Sequence, residues 1–121
     1  PKAFPALMRS CKIQKRAARV GFDWDTAADT LPKVHEEADE VLDALKKGDA
    51  PAIAEEIGDL LFACVNAARK AGVDPELALA AATQKFTNRF IKMEELILSE
   101  GGCLSDMTLE QMDSYWDRIK K

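Results

Sequence analysis

The sequence has 121 residues, 47% of them apolar and 31% charged, which is enough chain and enough apolar content for one buried core and too apolar for a disordered protein. Its net charge of −4 gives no general reason to expect a membrane surface or direct nucleic acid as a partner. No apolar stretch approaches the roughly 18 residues of a membrane span.

The chain reads as helical from end to end. There is no sustained period-2 alternation, and charge is unevenly spread. The first twenty residues carry Lys2, Arg9, Lys12, Lys15, Arg16 and Arg19 and no acid, whereas residues 33–59 carry nine acids against three lysines. A first helix is expected over residues 4–20, ending near Gly21. The connector "GFDWDTAADTLP" follows, and its Trp24 can either stack or pack, with packing the preferred reading. Pro32 suits the first turn of a second helix, whose apolar stripe is Val34, Ala38, Val41, Leu42 and Leu45, with Gly48 as its stop. A third helix starts near Pro51, carries the stripe Ile57, Leu60, Leu61, Cys64, Val65 and Ala68, and closes at Gly72. Asp74-Pro75 reads as an N-cap and first helical position for a fourth helix to about Ser99, with Phe86, Phe90, Met93 and Ile97 on one face. After the loop "EGGCLSD", Thr108 and Gln111 form a capping box that opens a short last helix through Trp116. Four main helices with short loops predict an all-α, four-helix-bundle-like fold with a short C-terminal helix. Cys11, Cys64 and Cys103 form no CxxC pair, which argues against a zinc site or a disulfide framework and fits reduced thiols in the cytoplasm. Cys64 is expected in the core. The chain begins at Pro1 rather than methionine, so the single domain expected over residues 1–121 can belong to a longer protein.

Two acidic clusters, "EEADE" at residues 36–40 and "EEIGD" at residues 55–59, run straight into apolar stripes. At about 100° per residue, Glu37 and Glu40 lie on one shoulder of the second helix, and Glu56 and Asp59 on the corresponding shoulder of the third. If the two helices pack antiparallel through their stripes, four carboxylates converge at one edge of the core. The plain alternative is a solvated helix face. Crowded carboxylates in a partly dry site repel one another, and a divalent cation relieves that conflict; an all-oxygen set favours Mg²⁺, Mn²⁺ or Ca²⁺. A di-iron bundle needs Glu-x-x-His pairs, and the single histidine, His35, stands directly beside Glu36 instead.

With these residues in place the chain resembles the MazG-type nucleoside triphosphate pyrophosphohydrolases, members of the all-α NTP pyrophosphatase superfamily. The family pattern E-E-x-x-E followed by E-x-x-D appears as Glu36-Glu37-Ala38-Asp39-Glu40 and Glu56-Ile57-Gly58-Asp59. "KIQKRAARVGFDW", "GDLLFACVNAARKAG" and "KFTNRF" look like the family's flanking segments, and the likeness, which covers nearly the whole chain, is greatest to the second catalytic domain of two-domain MazG proteins. The resemblance implies Mg²⁺-dependent cleavage of nucleoside triphosphates to monophosphate and pyrophosphate, with Mn²⁺ as a substitute. It implies metal ligands at Glu37, Glu40, Glu56 and Asp59, with Glu36 beside the nucleotide as a water-orienting carboxylate, and an intertwined homodimer whose active sites are built partly across the interface. Through "KFTNRF" it assigns Lys85 and Arg89, one turn apart, to the triphosphate. Lys33 is a weaker candidate of the same kind. Trp116 becomes a base-stacking candidate, although core packing would equally explain it, and Lys120, one turn on, joins the nucleotide-binding set. Two rivals stand beside this reading. One is a specialised enzyme for dUTP, dCTP or phosphoribosyl-ATP; the other is a catalytically idle dimerisation or regulatory module.

Overall fold

The computed structural model describes residues 5–120. It contains five α-helices and, among the described residues, no strand: α1 (Ala6–Ala18), α2 (Leu31–Lys47), α3 (Ala50–Lys70), α4 (Pro75–Ser99) and α5 (Leu109–Lys120). The all-α expectation is borne out, and local rules set most boundaries. Gly48 takes φ 70° at the end of α2, where its N–H donates to the Ala44 and Leu45 carbonyls. A left-handed cap of this kind favours glycine. The Asp74 carboxylate accepts from the backbone N–H of Glu76 at 2.9 Å and Leu77 at 3.2 Å, opening α4. Thr108 and Gln111 cap each other reciprocally, at 2.9 and 3.2 Å. Two ends differ from expectation. α1 stops at Ala18, short of residue 20, while residue 4 lies outside the described residues. α5 runs past Trp116 to Lys120 because nothing in that last turn breaks a helix.

Two compact units divide the chain, one ending at Ala78 and the other beginning at Leu79. In the first, α2 and α3 form the principal helix pair, α1 packs on α3, and a 3₁₀ turn at Ala28–Thr30 packs on both α2 and α3. Ala44, Ala63, Val65 and Cys11 are buried, together with the polar Gln14, Thr30 and Glu37. In the second, Met93 and Ile97 are buried on α4. A methyl group on Gly102 would lie 2.9 Å from Met107 Cε, the movable end of a flexible side chain, and 3.1 Å from Ile97 Cγ2, so the chain passes close to both. Glu100 ties α5 to the end of α4, accepting from the Tyr115 hydroxyl at 2.9 Å and the Arg118 guanidinium at 2.8 Å.

The apolar stripes are less covered than their periodicity implies. Leu42, Leu45, Ile57 and Leu61 are 41–54% exposed, and Cys64, expected in the core, is exposed. Periodicity reports which face of a helix is apolar; packing of α2 on α3 covers only the part of each stripe that meets the other.

The connector before α2 is anchored by charge. Asp23 accepts from Arg69 at 2.6 Å and pairs with Lys70 at 3.2 Å, and the Arg69 guanidinium holds its carboxyl well below the ordinary carboxylate range. A depressed folded-state pKa stabilises the fold above the unfolded value, about 3.9 for Asp. That contribution fades as pH falls from there through the lowered value. Asp23→Asn is therefore expected to melt a few degrees below wild type at pH 7, with the gap narrowing as the pH drops below 4. Thermal melts across pH 2–7 check this, and a gap independent of pH would refute it.

Candidate metal and nucleotide site

Packing of α2 against α3 brings acids from both sequence clusters together. One carboxylate oxygen from each of Glu37, Glu56 and Asp59 lies within 4.8 Å of the other two. Oxygens bonded to one hard cation at 2.0–2.6 Å lie at most about 4–5 Å apart, so these three can share such an ion. Glu37 is buried at 6% exposure, Glu56 is half-buried and Asp59 is exposed. Glu40, also exposed, is not in this trio but reaches Glu56. Contact with Glu40 is the largest cause of a raised Glu56 pKa, followed by burial and by the charges of Glu40, Asp59 and Glu37.

Two features separate this cluster from a solvated acidic face. Glu37 Oε2 and Glu56 Oε2 are buried acceptors with no hydrogen-bond partner, a costly state for a carboxylate oxygen. Among the described residues, Lys33 pairs with this cluster, its ammonium lying 3.0 Å from Glu37 Oε1 and 3.3 Å from Glu36 Oε1. It satisfies the outer oxygen of Glu37 and leaves the inner one, and its own pKa is raised chiefly by Glu37. The donor set therefore fits a hard divalent cation that would meet the two orphaned oxygens.

The remaining predicted residues fall elsewhere. Glu36 is exposed and pairs with Lys33. In the second unit, Lys85 is exposed and Arg89 half-buried on α4. Trp116 is half-buried, with its ring centroid 5.3 Å from that of Phe86. Phe86 in turn stacks on Phe90 at 6.1 Å. Lys120 is exposed at the end of α5.

A cleft of about 400 Å³ opens between α1, the connector and α3 in the first unit, and sequence reasoning missed it. Phe22, Trp24 and Phe62 supply its aromatic surface, and Gln14, Asn66 and Arg69 its polar groups. Trp24, read from sequence as packing, lines this opening and is 36% exposed.

The family model of the MazG nucleotide pyrophosphohydrolase domain matches residues 25–93. The chain is 44% identical over 123 residues to a protein of Escherichia coli (strain K12) named nucleoside triphosphate pyrophosphohydrolase, covering 100% of this chain and 47% of that protein. It is 45% identical over 116 residues to the nucleoside triphosphate pyrophosphohydrolase/pyrophosphatase MazG of Thermotoga maritima, covering 96% and 44%. An uncharacterized Bacillus subtilis protein, YabN, is 47% identical over 66 residues, or 54% of this chain and 14% of that one. The chain thus spans about half the length of the first two relatives.

Proposed function

This chain belongs to the MazG nucleotide pyrophosphohydrolase family, and from that premise we propose that it hydrolyses nucleoside triphosphates to monophosphate and pyrophosphate with Mg²⁺, or Mn²⁺ in its place. The observation that carries the reading is the meeting of Glu37, Glu56 and Asp59 with two buried oxygens lacking any partner. Glu37, Glu40, Glu56 and Asp59 would hold the cation, which supplies Lewis acidity toward the triphosphate. Glu36, which pairs with Lys33, would orient the attacking water and accept its proton, a role that one of the ligand carboxylates could take instead. The water oxygen ends on one product as the bond between the α- and β-phosphoryl groups breaks. Lys85 and Arg89, one turn apart on α4, would neutralise charge on the departing pyrophosphate, and Lys33 would turn from Glu37 to a phosphate oxygen once a metal takes over that carboxylate. Trp116 and Lys120 complete the proposed nucleotide contacts, although one face of Trp116 already packs on Phe86. The test is incubation with a panel of ribo- and deoxynucleoside triphosphates, with and without Mg²⁺, following monophosphate by chromatography. No turnover of any of them with Mg²⁺ would overturn the enzyme reading in favour of an idle module. Turnover confined to dUTP, dCTP or phosphoribosyl-ATP would replace broad base use with a specialised activity.

The same proposal includes a homodimer and a cytoplasmic setting. Supporting the dimer, Leu77, Leu79, Ile91, Leu98 and Leu109 are 47–71% exposed, apolar side chains that a second copy could cover. Sedimentation equilibrium at micromolar concentration is expected to give twice the 13.3 kDa chain mass. A monomer mass there would refute the dimer. The three free thiols fit a reducing compartment, and no described helix is long and apolar enough to cross a membrane.

A further inference from the structure

We propose that the outward face of α1 is a docking surface for single-stranded nucleic acid, held by its sugar–phosphate backbone. Net charge hides this surface, because the acids lie elsewhere: residues 33–59 carry nine, whereas α1 carries none. A polyanion meets the local field and not the sum. At about 100° per residue, Arg9, Lys15, Arg16 and Arg19 fall within one arc of about 120° on the helix, with Lys12 inside it. All are exposed, and all line one open groove of about 650 Å³. From Arg9 to Arg19 that groove runs about 15 Å along the helix axis. Among the described residues Arg9, Lys15, Arg16 and Arg19 form no ion pair, whereas Arg69, Lys70 and Arg118 are each paired with a carboxylate. Lys15 and Arg19 stand one turn apart as a like-charged pair, which weakens a helix on its own. An anion laid along the groove relieves that repulsion.

Three features decide which polyanion fits. Charge spread along the whole groove suits a chain of phosphates; a single phosphate needs cations that converge on a point. Arg9, Arg16 and Arg19 carry forked guanidinium groups, each able to grip two oxygens of one phosphate. An anionic bilayer is bound by a helix that also shows apolar side chains opposite its cations. In α1 that opposite face is committed to α3: Cys11 and Gln14 are 9% and 5% exposed, and the Gln14 amide donates to the Phe62 carbonyl at 3.0 Å. Phe22, three positions past Arg19, is 82% exposed and offers a solvent-facing ring on which a base of the bound strand can stack. Single strands present unstacked bases and duplexes do not. Phosphate contacts carry no sequence information, so this surface takes strands of any sequence. It lies on a different helix from the carboxylates of α2 and α3.

Fluorescence anisotropy with a labelled single-stranded RNA of mixed sequence, about 20 nucleotides long to exceed one binding site, tests the proposal. Four phosphate contacts predict that wild-type affinity falls about 50-fold between about 50 and 200 mM salt, a log–log slope of about −2.8. Arg9→Gln/Arg16→Gln removes two contacts and is expected to halve that slope, to a loss of about 7-fold over the same range. Its circular dichroism and its turnover of nucleoside triphosphates should match wild type. Lys46→Gln/Lys47→Gln, an equal change of charge at the exposed end of α2, is expected to keep the wild-type slope. Phe22→Ala is expected to bind at least about 5-fold more weakly. No anisotropy change with wild type at the lower salt overturns the proposal. So does an equal loss of slope in the Lys46/Lys47 variant, which would make the effect one of overall charge. A wild-type slope kept by Arg9→Gln/Arg16→Gln puts the contacts off α1 and overturns it as well. Tighter binding of duplex RNA, or unchanged binding by Phe22→Ala, refutes the single-strand assignment. Retention on phosphatidylserine vesicles without RNA binding makes α1 a membrane surface instead. Each of these outcomes leaves the pyrophosphohydrolase reading to its own turnover assay.

Discussion

Asp59→Asn and Glu56→Gln are each expected to lower kcat/KM for nucleoside triphosphates by at least about 100-fold, with the far-UV helical signal unchanged. The lower bound follows from second-shell metal partners, whose loss alone typically costs about 10- to 100-fold; a ligand itself should cost no less. Both substitutions keep size and shape and remove one negative charge from a cluster in which three carboxylate oxygens lie within 4.8 Å of one another. Fold should survive because Asp59 is exposed and Glu56 only half-buried, so neither side chain is part of the packed core. Monophosphate release in saturating Mg²⁺ is the measurement. Near-normal turnover in both variants would show that these carboxylates hold no catalytic metal.

The second large effect concerns stability. Without a cation, the cluster forces like charges together, and the Glu56 carboxyl holds its proton above the ordinary carboxylate range because Glu40, burial, Asp59 and Glu37 all disfavour its ionised form. The sign follows from linkage. A raised folded-state pKa means the folded protein binds the extra proton, so the favourable contribution is complete at low pH. It is lost as pH rises from the unfolded value, about 4.3 for Glu, through the raised one. At pH 7 in chelator, Glu56→Gln is therefore expected to melt several degrees above wild type, in spite of its expected loss of turnover. Millimolar Mg²⁺ should raise the wild-type melting temperature by a comparable amount and the variant's by much less. Calorimetric scans with chelator and with Mg²⁺ check both halves. Equal melting temperatures for the two proteins in chelator would mean the acids are too well solvated to repel.

Where sequence reasoning succeeded, the determining interactions are local. Gly48, the Asp74-Pro75 cap and the Thr108/Gln111 box act over one helical turn, and the structure keeps all three. The meeting of Glu37 with Glu56 and Asp59 was legible because helical spacing puts each pair on one shoulder and a short loop makes α2 and α3 neighbours. Burial was less legible. Leu45, Leu61 and Cys64 lie on apolar stripes yet stay exposed, since a stripe does not say what covers it. The partial pairing of Glu37 by Lys33 escaped because Lys33 was read as a phosphate contact, while its ammonium sits on the carboxylates. The cleft escaped entirely. Gln14 meets Phe62 across 48 positions and Asp23 meets Arg69 across 46, and no periodicity encodes pairs that distant.

Because the α3 backbone joins Asp59 to Asn66 through unbroken helix, it works as a ruler. The axial distance from the acid at one position to Phe62 and Asn66 further along is set by helical rise alone. A substitution on the cleft side of α3 leaves the carboxylates at the same height on the axis, so the two regions can be altered one at a time.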